Sequence, residues 1–294
     1  MKIKTLFCTF LVLGFLAMAT SSFAEDTPKR FSLLLSGGYG GISGGDMSKV
    51  FDGENELIRD VAALGGFTVT DTLQPAGWGS EFEAEFLFRP FRNLGLSLGI
   101  GRLGKSEDAR GAAKSGALAA FSLNWSADYR LIPVNVSAVY FLPAGAKLTA
   151  YAKAGAGYYF GRINYSIAVE ERITGPGTWE RDEGKTTDSG LGFHGGLGLE
   201  YSISPAVSIF LEAQGRHVSL NDWTVDQTYS NPLTSGSQTG AFWYAERFQE
   251  GFGKSYATFI LDEDRPDESD IRNLRKLALG FSGFAVKTGI KIGL

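Results

Sequence analysis

The sequence predicts an all-β chain folded as a closed, eight-stranded, antiparallel up-and-down barrel that spans a membrane and carries long external loops. Three observations predict it. The stretch from Phe284 to Leu294 (FAVKTGIKIGL) alternates strictly, with Phe284, Val286, Thr288, Ile290, Ile292 and Leu294 on one face and Ala285, Lys287, Gly289, Lys291 and Gly293 on the other. One oily face and one small or charged face suit a wall between lipid and a polar interior. Such alternation recurs along the chain, and the connections between strands are short and long in strict turn. Tight turns at one rim and long loops at the other are the pattern of an up-and-down membrane barrel. The third observation is an export signal at the start, which places the chain outside the cytoplasm.

That signal is expected over residues 1–24. Lys2 and Lys4 supply the positive start, Leu6 to Ala19 is almost wholly apolar, and Ser22-Phe23-Ala24 precedes Glu25 as a cleavage site. The apolar run is short for a membrane helix. Residues 25–294 are then one barrel domain. Cys8 is the only cysteine and falls within the signal, which excludes a disulfide framework and thiolate metal sites in the mature chain. No later segment has the apolar length of a membrane helix, so an exported chain that spans the bilayer must do so as a closed barrel. The mean hydropathy of -0.04 agrees with strands that are oily on one face only. Basic residues number 28 and acidic ones 32 before Lys2 and Lys4 are removed, and no basic block is present, which argues against a nucleic-acid partner.

The strands are expected at 30–41, 80–90, 94–103, 127–141, 148–162, 189–203, 206–219 and 278–294. Three connections are short: residues 89–93, 142–147 and 204–205. Four are long: roughly 42–79, 104–126, 163–188 and 220–277. Gly240 to Phe248 and Tyr256 to Leu261 in the last loop have the pattern of a further hairpin, so a ten-strand count stays open. In the first long loop, Val50, Phe51, Leu57, Ile58, Val61 and Leu64 fall near helical spacing behind Asp46 and Ser48 as caps. An irregular loop is the alternative. The third long loop is expected to extend its strands as a hairpin turning at Gly175-Pro176-Gly177.

Strand parity points Glu83, Glu85, Glu200 and Glu212 inward with Lys153, Arg216, Lys287 and Lys291. Charges in a narrow barrel are costly unless paired, so this balanced set is read as cross-strand ion pairs that plug the lumen. His194 also points inward. Arg102 and Arg130 have the lipid-facing parity near the external rim, where a cation meets the phosphates of lipopolysaccharide. Two aromatic girdles are expected, an upper one from Tyr39, Trp125, Tyr129, Tyr158 and Phe160 and a lower one from Phe88, Tyr140, Phe141, Tyr201 and Phe210. Trp223, Trp243 and Tyr244 are assigned to loop packing. His217 and Ser219 share an outward face, the one arrangement that suggests nucleophilic ester chemistry. No metal-ligand spacing and no cofactor motif is found.

The segments YAKAGAGYYF (Tyr151 to Phe160) and LGFHGGLGLEY (Leu191 to Tyr201), with the terminal strand, resemble the small outer-membrane β-barrel family of the OmpA/OmpX/OmpW type. The resemblance implies an outer-membrane location and an assembly signal read by the barrel-assembly machinery. Lys287, Gly289, Ile292 and Leu294 fall on its positions, with leucine where phenylalanine is usual. The expected function is non-enzymatic: a monomeric structural or surface-interaction barrel, contacting outer-membrane lipid, lipopolysaccharide and an unidentified extracellular ligand through its loops. The alternatives are a narrow channel for small solutes and a lipid A esterase built on His217 and Ser219.

Overall fold

The computed structural model describes residues 29–74, 77–115, 119–172 and 177–294. The expected signal, with Cys8, lies outside them, as do Gly175 and Pro176 of the expected turn. In chain order the elements are β1 (Phe31–Gly41), α1 (Asp46–Gly65), β2 (Thr68–Asp71), β3 (Trp78–Phe91), β4 (Leu94–Ser115), β5 (Ala119–Pro143), β6 (Leu148–Arg172), β7 (Thr178–Ser202), β8 (Val207–Leu220), β9 (Thr224–Ser230), β10 (Ser235–Gln249), β11 (Lys254–Asp262), β12 (Ile271–Lys276), β13 (Leu279–Gly280) and β14 (Gly283–Gly293).

Eight strands close a ring. β1 pairs β3, the hydrogen bonds run on through β4, β5, β6, β7 and β8 to β14, and β14 returns to β1 with Leu35 opposite Ile290, every pair antiparallel. A closed ring satisfies its backbone polar groups internally, as hydrocarbon demands. Its outer surface carries the apolar face of each alternating strand. Leu98, Ile100, Phe82, Val136, Leu191, Phe193 and Val286 are each more than half exposed. In water such a band would be an aggregation surface; against lipid it is the required one.

Four strands run well beyond the bilayer. β6 has 25 residues, whereas a tilted strand crosses a bilayer with roughly 9–11. Residues 104–126, expected as a loop, largely extend the β4–β5 hairpin, whereas residues 163–188 extend β6 and β7 as the expected hairpin. The physical reason is a change of solvent. Beyond the bilayer the pattern inverts: the outward positions turn polar and the inward ones turn apolar, as in Leu103, Ala109, Tyr129, Ile163 and Tyr165. A search for a lipid-facing stripe ends at the membrane, but the strand does not.

β8 and β9 both pair with β7 and form one strand interrupted at residues 221–223. β10 returns beside β9, and β11 and β12 flank its lower half. The expected second hairpin therefore exists as β10–β11, but outside the ring, so the count is eight and not ten. The expected last strand is likewise split, into β13 and β14.

The first long loop does form a helix. Its N-cap is neither Asp46 nor Ser48 but Gly45, whose φ of 62° suits glycine, and no side chain caps the end. Asp46 instead begins the helix, where a carboxylate complements the helix dipole. Val50, Phe51, Ile58 and Ala62 are buried, while Val61 and Leu64 are exposed. Gly53 is the point of closest approach: a Cβ there would lie 2.3 Å from the Ala257 carbonyl oxygen and 2.7 Å from its nitrogen. Only glycine lets α1 lie this close to β11.

Candidate functional site

The lumen is filled at three levels. Nearest the short turns, Leu87, Val139, Phe141, Tyr151 and Phe210 form an apolar cluster. Phe141 and Phe210 were expected in the lower girdle, but both are buried. Phe141 alternates with outward Tyr140, and Phe210 with outward Ile209.

The middle level is ionic. All eight inward charged residues expected from parity are buried. Lys287 Nζ donates to Glu83 Oε2 at 2.5 Å and to Gln214 Oε1 at 3.1 Å, and forms an ion pair with Glu212 Oε1 at 3.2 Å. Lys153 reaches Glu85 at 2.6 Å and Glu212 at 3.4 Å. Lys291 is bonded to Glu200. Glu212 also accepts the Tyr151 hydroxyl at 3.0 Å, and Asn135 donates to Glu83 at 3.0 Å. His194 meets the Ser137 hydroxyl at 2.7 Å. The cavity between Tyr151, Lys153, Glu200, Glu212 and Lys291 measures about 20 Å³, room for a single water.

Arg216 pairs with none of the four acids counted by parity. Its Nη1 lies 2.6 Å from Glu81, its Nε donates to the Phe281 carbonyl at 2.9 Å and its Nη2 to the Gly41 carbonyl at 3.0 Å. Glu81 shares the face of Glu83 and Glu85, so its alternation was the signal that could have found it. Arg216 thereby ties the barrel rim to the segment leading into β14.

The upper level is a second apolar core, held by α1 and the β9–β12 sheet over the mouth. Trp125 stacks on Tyr165 at 5.7 Å and meets Phe51 and Phe259 edge-on at 5.6 and 6.0 Å. Trp125 and Tyr129 are each 4% exposed, so neither belongs to the upper girdle where it was expected. They lie on the inward parity of a strand that has already left the membrane. Tyr39, Tyr158 and Phe160 do face outward. Trp223 and Tyr244 are buried in the loop core, and Arg275 and Lys276 lie over the rings of Tyr244 and Trp243 at 4.3 and 5.1 Å.

Polar contacts fasten the cap. Asn55 makes a two-way bond with the Leu73 backbone, both at 2.7 Å. Lys254 and Tyr256 converge on Asp60 at 3.0 and 2.6 Å. Asp46 accepts Arg275 through both oxygens and the Ala278 amide at 2.9 Å. Burial alone would raise the Asp46 carboxyl, but the bonds from Arg275, Ala278 and Lys49 outweigh it and hold it below the usual range. Burial pushes Glu54 up, against a weaker pull from the Thr258 hydroxyl. The signs oppose each other. The Asp46 contribution is present above its unfolded pKa of about 4 and is lost as pH falls through the depressed folded value. Glu54 weakens docking when ionised, and that penalty fades as pH falls through its raised folded value. Protection of the α1 amides, relative to the intrinsic exchange rate at each pH, should therefore rise from neutral to mildly acidic pH and fall again in strong acid. A steady loss of protection from neutrality downward would contradict this.

On the outer wall, Arg102 is exposed, and Arg130 holds Asp128 at 2.6 Å. His217 and Ser219 are both exposed, but His217 Nδ1 faces the Ser282 hydroxyl at 3.3 Å and has no bond to Ser219. On β14 Lys287 lies inside, and Leu294, just past the end of the strand, is exposed.

The matching family model covers residues 8–241 and describes an outer membrane protein β-barrel domain. The chain belongs to that family. No curated protein matches it. Among solved structures it is similar to Neisserial surface protein A (8% identity, 90% of this chain and 96% of that one, TM-score 0.36). It is also similar to Ail, the attachment invasion locus protein of Yersinia pestis, in complex with the heparin analogue sucrose octasulfate (10%, 90% and 99%, 0.34). A third is OprG from Pseudomonas aeruginosa (11%, 88% and 97%, 0.32). As a member of this family the chain is an outer-membrane β-barrel.

Proposed function

We propose that this outer-membrane protein is a closed, non-conducting and non-enzymatic barrel that acts through its extracellular mass, as a monomer. The observation that carries this reading is the filling of the bore at three successive levels: apolar, ionic and apolar again. An eight-stranded barrel is narrow enough for side chains to occupy it fully. The cap over the mouth adds a second closure, and its helix is fastened from both ends, by Asp46 and by Asp60. Ser219 has no base positioned on it, which supports a non-enzymatic role over a lipid A esterase.

The surface left for recognition is external. A groove of about 860 Å³ crosses the outward face of the β4–β10 extension, lined by Asp108, Asp128, Glu183, Lys185, Asp226 and Gln238 among others. Such a polar face suits an extracellular ligand rather than lipid. The barrel-assembly machinery is the proposed reader of Lys287, Gly289, Ile292 and Leu294 during insertion.

Planar-bilayer recording of the purified protein tests the reading. A flat baseline is expected across the voltage range in which porins open. Discrete unitary steps would overturn the closed lumen and favour the narrow-channel alternative.

A further inference from the structure

The outward face changes chemistry within two residue rows. Ile132 and Phe160 stand directly opposite each other on β5 and β6 and end the apolar band. One row higher, Arg130 stands directly opposite Arg162. Arg102, on neighbouring β4, points outward one row nearer the membrane. Like charges directly opposite on adjacent strands destabilise a sheet unless something neutralises them. Arg130 has its counter-charge in Asp128. Arg162 has only the neutral Asn164 amide oxygen, at 3.2 Å. Arg102 has no ion pair or hydrogen bond among the described residues. Two guanidiniums at the edge of the lipid band therefore keep donors to offer.

These arginines line a groove of about 630 Å³, floored by Ile132 and Phe160 and walled by the Thr187, Ser189 and Thr224 residues of β7 and β9. Asp188 and Asp222 close its far side. Asp188 spends its oxygens on the Ser189 and Asp222 amides, at 2.6 and 2.8 Å, and so bonds neither arginine. The floor is apolar, the rim cationic and the wall hydroxylated. That sequence matches a molecule with acyl chains below, a phosphate at the interface and sugar hydroxyls above.

We infer that Arg102, Arg130 and Arg162 form a phosphate seat for a phosphorylated glycolipid of the outer leaflet, with Ile132 and Phe160 beneath its acyl chains. The inference rests on the reading of this wall as facing outer-leaflet lipid, and it is independent of whether the lumen conducts. Arg162 joins the two arginines legible from strand parity because its partner strand places it opposite Arg130.

The test compares binding of purified lipopolysaccharide to detergent-solubilised wild type and to the R102Q/R130Q/R162Q variant. R110Q, higher on the same outer face, is the charge control. A band on unheated gels that shifts on boiling establishes that each barrel is folded; if the triple variant fails this check, R162Q alone takes its place. The triple variant is expected to bind roughly ten-fold more weakly, as lost phosphate contacts at a membrane surface imply. Enzymatically dephosphorylated lipid should bind wild type as poorly, and R110Q should match wild type. Equal binding by wild type and triple variant, or by phosphorylated and dephosphorylated lipid, would overturn the seat. Displacement of the lipid by millimolar inorganic phosphate would overturn the lipid as its occupant and leave a general anion site. None of these outcomes bears on the bilayer recordings, so the two readings fail separately.

Discussion

Replacing Lys287 with methionine should cost the folded barrel about 3–5 kcal/mol, the usual penalty for stranding a buried charge. Lys287 is 1% exposed and is the shared cation of Glu83 and Glu212. Methionine fills the same volume and removes the charge, leaving Glu83 without its nearest counter-charge and Glu212 with Lys153 alone, at 3.4 Å. Urea unfolding of the protein refolded into lipid vesicles measures the loss. The double variant K287M/E83Q should regain a large part of it, because the pair is then removed together. Lys287 also occupies a position of the proposed assembly signal, and refolding without cellular machinery isolates the energetic effect. An unchanged midpoint for K287M would mean that the lumen is wetter than its packed side chains indicate.

The second large effect is expected at Gly53. A leucine there has to displace the β11 backbone, because its Cβ alone would meet Ala257 at 2.3 Å. Overpacking of this kind costs about 1–3 kcal/mol where the structure can yield. Here it yields by separation of α1 from β11. Protease nicking between Asp46 and Gly65 should appear, and the fluorescence of Trp125, which touches Phe51, should change. The atoms nearest Gly53 all belong to Ala257 of β11, outside the ring, so the barrel should keep its resistance to unfolding on cold gels. If G53L leaves α1 as protected as in the wild type, the helix is not seated on β11 as described.

Both predictions concern features of very different legibility. Lys287 was readable from alternation alone, because the last strand puts each side chain on a known side of a wall. Its partners on other strands were identifiable only as a set. Which acid meets which base depends on strand stagger, and stagger put Arg216 on Glu81 rather than on one of the four acids counted. The Gly53 contact had no sequence signal at all, since it joins a helix to a strand some two hundred residues away. Trp125 and Tyr129 show the same limit from the other side. Their type suggested an interfacial girdle, but their strand had passed the interface and turned them into a soluble core.

Alternation and turn spacing alone therefore determined that this chain is an up-and-down barrel of eight or ten strands, and which face of the terminal strand meets lipid. These are local properties, set by a two-residue period and a solvent that rejects unpaired backbone. Tertiary structure alone decided how far β4 and β5 run past the membrane, the seating of the cap over the mouth, the partners within the lumen and the placing of Arg162 opposite Arg130. Those depend on register between strands distant in sequence, where one residue of slip exchanges every neighbour.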